Sequence, residues 1–138
     1  MTAAITDRNT NTRASVLRVF PLAAATLIYA GVIACLNAAG QLVNGSTSTT
    51  LKCVGVTTRR ADNSNGAAGA LSAETSRGVF GPFANSAAGD QITLADVGSD
   101  AYIVDNQTVA KTSGSSTRSV AGQIHDVTVD GVYINFTK

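Results

Sequence analysis

The 138-residue chain has no tryptophan, one methionine, one histidine, one glutamate and three lysines, and aromatic residues make up 5% of it. A mainly helical domain is excluded first. Helical surfaces draw on Glu, Lys, Gln and Arg, and Glu and Lys are nearly missing here. The lone His125 and lone Glu74 leave no nucleophile–base pair and no pair of glutamates for acid–base work. The two cysteines, Cys35 and Cys53, are too few for a disulfide framework and lack the spacing of a zinc site. A formal net charge of +1 supplies no cationic excess to hold nucleic acid.

What is abundant is small or turn-forming: 22 alanines, 29 serines and threonines, 13 glycines and nine asparagines. The length suits one domain, which at this size buries roughly 65–70% of the surface its unfolded chain exposes. Small side chains bury little area, at about 25 cal/mol per Å². An isolated monomer is therefore expected to be modestly stable, with burial against neighbours as a supplement. Threonine, valine and turn residues favour strands. The expected fold is mainly β: a small single-domain β-barrel or β-sandwich-like fold over residues 19–138, preceded by an extended or disordered arm over residues 1–18.

Charge is unevenly placed. Arg8, Arg13 and Arg18 stand against only Asp7 in the arm, whereas Gly81–Ala110 holds Asp90, Asp96, Asp100 and Asp105 with no lysine or arginine. This is either ordinary solvated charge or a basic arm and an acidic face that meet different partners, or each other across subunits.

The uncharged stretch from Val19 to Val43 invites a membrane or signal-peptide reading. Its apolar part, Val19–Leu36, is short for a spanning helix, holds Pro21 and Gly31, and follows Arg18 and the seventeen mostly polar residues before it. Two short buried strands, Leu22–Tyr29 and Val32–Leu36, fit better, with a turn at Asn37–Gly40 before Gln41–Val43. Further strands are expected at Leu51–Thr57, with Gly55 marking a bulge or close backbone approach, and at Leu71–Phe80, broken by Gly81-Pro82. A long loop is expected over Arg59–Gly69, a short strand at Ile92–Leu94, and one helical turn after a capping box at Thr93–Asp96. Ala101–Asp105 and Thr108–Lys111 flank Asn106-Gln107 as a hairpin. At the C-terminal end, Asp130-Gly131 joins two alternating runs as a two-residue hairpin loop, which would set Val129 opposite Val132, Val127 opposite Ile134 and His125 opposite Phe136 on a buried face.

A search for chemistry is empty. His125 falls on the expected inward face, and alternation sends Asp126 to the other side. Cys35, Cys53 and His125 are scattered soft ligands, and no EF-hand or phosphate-loop spacing occurs. Both cysteines sit among apolar residues, as buried free thiols do; a bridge between them is left open. Asn44, Asn106 and Asn135 begin glycosylation-type triplets, as chance provides in so Asn- and Thr-rich a chain. No catalytic residue, metal or cofactor is expected, and no enzyme. Arg8, Arg13, Arg18, Arg59 and Arg60 are the candidate protein-contacting residues.

One resemblance emerges from the order of short motifs. Tyr29-Ala-Gly31, Asn37-Ala-Ala-Gly40-Gln-Leu-Val43, Leu51-Lys-Cys-Val-Gly55-Val, Asp62-Asn63 and Gly66-Ala-Ala-Gly69 come first. Arg77-Gly78-Val-Phe80, Asn85-Ser86, Gly89-Asp90, Ala95-Asp96-Val-Gly98, Tyr102-Ile-Val-Asp105, Val120-Ala-Gly122 and Asp130-Gly131-Val132 follow. Over Phe20–Phe136 this order resembles the capsid decoration (cement) proteins of tailed bacteriophages. The resemblance implies a small β-barrel-like protein, made in the host bacterial cytoplasm, on the outer surface of the virion head. Its partners would be the major capsid protein and itself, as a homotrimer or in some cases a dimer, with no nucleic acid and no membrane. Other β-type virion components (tail tube, head completion or fibre base) and a carbohydrate-binding surface module are the alternatives.

Overall fold

Alternating β-branched and small residues, cut by turns every few positions, give only short strands. The computed structural model describes residues 2–9, 13 and 16–137, and the expectation of an arm at positions 1, 10–12, 14 and 15 lies outside the described residues. The strands are β1 (Leu17–Pro21), β2 (Thr26–Ile28), β3 (Ile33–Leu36), β4 (Leu42–Asn44), β5 (Lys52–Thr57) and β6 (Ala61–Asn63), then β7 (Ser72–Ser76), β8 (Val79–Asn85), β9 (Asp100–Ile103), β10 (Thr108–Ala110), β11 (Val120–Thr128) and β12 (Gly131–Asn135). They form a five-stranded sheet in the order β1-β7-β5-β3-β4, a closed barrel β10-β8-β12-β11-β9, and a two-stranded ribbon β2-β6. The mainly β, barrel-containing fold is as expected.

Two cores share one wall. Ile33, Cys35 and Val56 of the sheet pack with the barrel residues Phe83, Ile103, Val109, Ile124, Val132, Ile134 and Phe136. On the other side, Phe20, Leu22, Ile28, Ala34, Leu42, Val54 and Ala73 form the second core. Strict alternation would send Val54 and Val56 to the same face. They part because β5 bulges: Ala34 pairs with Gly55 but Cys35 pairs with Cys53, leaving one extra residue on β5. Gly55 has φ +122°, and a Cβ there would lie 2.3 Å from the Ser76 carbonyl oxygen.

Four expectations are corrected. Gly81-Pro82 does not end a strand but lies inside β8, where the pairing to β12 shifts register between Val132 and Ile134 and no ladder bond is asked of the proline. Ile92–Leu94 is not a strand, because the Asn85 amide takes both backbone groups of Ile92, accepting from its N–H (2.9 Å) and donating to its carbonyl (2.8 Å). Part of the expected Arg59–Gly69 loop is β6, which pairs with β2.

The C-terminal hairpin exists, but in another register: Thr128 pairs with Gly131 and Val127 with Val132, so Val129-Asp130 forms the turn. His125 occupies a bulge between Ile124 and Asp126 and is exposed, not inward-facing; Val129 is fully exposed too. Gly131 is glycine for another reason than the turn. A Cβ on it would stand 2.3 Å from the Phe83 carbonyl oxygen of β8.

Substituting Gly55 tests the shared wall. Gly55→Ala should cost about 2–3 kcal/mol in urea unfolding, through positive φ and backbone collision together. Gly40→Ala, at φ +76° with nothing within 4 Å, should cost about 1 kcal/mol. Equal costs would contradict a structural role for the bulge.

Candidate functional site

The feature that most needs a partner is the β1 edge of the sheet. β1 pairs with β7 on one side and is terminal on the other. The phase of the ladder decides which groups are free. The Arg77 N–H donates to the Val16 carbonyl and the Leu22 N–H to the Leu71 carbonyl, both at 2.9 Å. Even-numbered residues therefore face β7, and Leu17, Val19 and Pro21 turn their backbone groups outward. Among the described residues, no loop or side-chain hydrogen bond satisfies those of Leu17 and Val19. Their side chains are 49% and 62% exposed. An open apolar edge of this kind templates pairing with another chain.

The candidate arginines distribute around this edge unequally. Arg18 lies on β1 itself, so the strand begins within the expected arm; its guanidinium stands 4.7 Å from the Phe20 ring centroid. Arg59 and Arg60 join Val19, Ala61, Ser72, Ala73 and Glu74 around a cleft of about 290 Å³ beside the same edge. Arg60 faces the Tyr29 ring at 5.6 Å and approaches Asp62 to 3.8 Å. The Ser64 hydroxyl and backbone N–H, and then Arg60, hold the Asp62 carboxyl below its ordinary range. Among the described residues no carboxylate lies within 4 Å of Arg18 or Arg59. Arg8 and Arg13 are exposed and are not brought into the cleft.

Two of the four aspartates, Asp90 and Asp96, are paired with later residues that fold back onto them, whereas Asp100 and Asp105 have no ion pair among the described residues. Arg118 Nη1 donates to Asp90 (3.2 Å) and Lys111 Nζ stands 3.5 Å from Asp96. Asp96 also accepts from the Thr93 N–H at 2.8 Å, closing the expected capping box, and Asp105 accepts from the Gln107 N–H at 2.9 Å. The Thr112 hydroxyl, then Arg118, lowers the Asp90 pKa; the Thr93 N–H leads in lowering that of Asp96. These bonds pin residues 111–118 to the barrel.

Sequence reasoning missed the joint between sheet and barrel. Asn106 Nδ2 donates to Asn44 Oδ1 (3.1 Å), Asn44 donates to the Leu27 carbonyl (2.9 Å), and the Ile33 N–H donates to the Asn106 carbonyl (2.8 Å). Two of the glycosylation-type asparagines are thus structural. A polar side chain in a Thr- and Asn-rich loop carries no sequence signal that singles it out.

Among the described residues no three His, Cys, Asp or Glu side chains converge on a metal-sized site, and no helix is long and apolar enough to cross a membrane. Fold and edge together define a barrel-plus-sheet β-domain in which β1 is an open terminal strand of the sheet. The chain matches no protein-family model, no curated protein and no solved structure.

The Asp90 cluster predicts a pH dependence. A carboxyl lowered in the folded state stabilises above its unfolded pKa and loses that stabilisation as pH falls through the folded value. Asp90→Asn should melt below the parent at about pH 6, and the gap should close as pH drops below about 4. A gap that stays constant in thermal melts would remove the charge from the account.

Proposed function

We propose that the protein is a capsid decoration protein of a tailed bacteriophage. It binds the outer surface of the head at junctions between major capsid subunits and stabilises the shell, as a homotrimer. The observation that carries this reading is the open β1 edge, which continues directly from a basic arm and has the Arg59–Arg60 cleft beside it. Such an edge suits strand addition by an extended segment of the shell, with main-chain hydrogen bonds for affinity and the flanking arginines for register. The order of motifs over Phe20–Phe136 supports the same reading. Many modest contacts repeated by symmetry are enough to clamp a shell.

The alternatives find less support. A tube protein would need the C-terminal hairpin for stacking, but β11 and β12 are both bonded into the barrel. A carbohydrate platform needs exposed aromatic faces. Tyr29 is the one exposed aromatic among the described residues, and Arg60 stands over it.

Counting this chain against the major capsid protein in purified particles, by mass spectrometry, tests the role: about one copy per capsid subunit is expected, as full occupancy of symmetric sites requires. A few tens of copies would overturn it. The edge is tested separately. Val19→Pro removes one outward N–H and leaves every β7 bond in place, so the protein should fold yet bind shells at least ~10-fold more weakly. Removing residues 1–15, which spares β1, should weaken shell binding and leave the melting temperature unchanged.

A further inference from the structure

Cys35 of β3 and Cys53 of β5 are direct partners in an antiparallel pair, and both are free thiols. Opposed residues in such a pair have Cα atoms about 4.5–5.5 Å apart, within the span of about 4.4–6.8 Å that a disulfide requires. The side chains share a face. Cys35 is fully buried in the barrel-side core, and Cys53, half-buried, packs against the same cluster. Register is supplied by the β5 bulge: with no extra residue between Cys53 and Gly55 in the pairing, Cys35 would stand opposite Val54.

We propose that Cys35 and Cys53 form a covalent modification site, closing to an intrachain disulfide when the folded protein meets a low-molecular-weight disulfide such as oxidised glutathione. The Cys53 thiolate attacks one sulfur of the reagent and displaces a glutathione thiolate, leaving a mixed disulfide. The Cys35 thiolate then attacks the Cys53 sulfur and displaces the second glutathione. Two protein thiols are oxidised to one S–S bond, the reagent disulfide is reduced, and the two protons end on the two released thiols.

Cys53 acts first because it is the more accessible of the pair. The hydrogen bond from the Cys35 thiol lowers its pKa, helped by the Gly55 N–H and the Arg77 charge and opposed by burial. The same hydrogen bond, with burial, pushes the Cys35 thiol up. The bridge would close residues 35–53, which include the loop that holds the barrel: Thr47 Oγ1 donates to the Val104 carbonyl (2.8 Å), and the Ser119 hydroxyl donates to the Ser48 carbonyl. Oxidation therefore restrains the joint between sheet and barrel. The inference does not depend on the proposed capsid role.

The test uses the full chain, folded, incubated with oxidised glutathione, acid-quenched, unfolded and alkylated. Intact mass should show loss of both alkylation sites and of two hydrogens, with a monomer on a non-reducing gel and full reversal by dithiothreitol. Denaturant unfolding should show the folded-to-unfolded ratio rising roughly two-hundredfold, the loop-closure effect of a bridge between residues 18 positions apart. Cys35→Ala should trap a stable glutathione adduct on Cys53. Two alkylatable thiols after oxidation of the parent protein, a lasting mixed disulfide on it, or a covalent dimer would each overturn the proposal.

Discussion

Everything in this fold leans on the β5–β3 wall and on the one bulge that lets it serve two cores. A strand of alternating residues can bury one side against a barrel and the other against a ribbon only if each side receives the right side chains. Here the bulge at Gly55 resets the alternation, so Cys53 and Val56 reach the barrel core and Val54 reaches the core under the β2–β6 ribbon. Glycine is demanded there by the approach of the Ser76 carbonyl from β7. The same contact carries the wall outward to β7, and β7 in turn carries β1. The open edge is thus the last link of a chain that starts at the bulge.

That arrangement divides the molecule into a closed part and an open part. Barrel closure removes every edge among β8–β12, and the Asp90–Arg118 and Asp96–Lys111 pairs fasten its loops. The sheet is left with β1, whose free backbone groups and exposed Leu17 and Val19 offer a template for pairing with another chain. An assembly protein has a use for such an edge. The core, built on Ala, Val and Ile with few aromatics, holds the domain together.

The legible parts of the fold were those set by local chemistry. The Asn37–Gly40 turn, the Asn106-Gln107 hairpin and the Thr93–Asp96 capping box depend on residues close in sequence, and Gly55 stood out as a glycine inside a strand. What was not legible depended on contacts from far away. Asp130-Gly131 reads as a hairpin turn, yet its glycine answers to β8, so the register slipped and His125 and Val129 moved to the surface. β6 has no apolar alternation to announce it, and Ile92 lost its strand to the Asn85 side chain. The candidate site divided likewise. Arg59 and Arg60 line a cleft with Val19 of β1, and Arg18 lies on β1 itself, whereas the acidic stretch, read either as solvated charge or as a face, is half paired, by Lys111 and Arg118.

The central proposal is that β1, a terminal strand of the sheet, is completed by the shell. Hydrogen exchange at the Leu17 and Val19 amides, measured on the free protein and on protein bound to purified shells, tests it most directly. Both amides point away from β7 and should exchange fast when free and be protected on binding, while the Arg18 and Phe20 amides change little. Protection confined to the barrel loops, with Leu17 and Val19 still exchanging freely, would contradict the account.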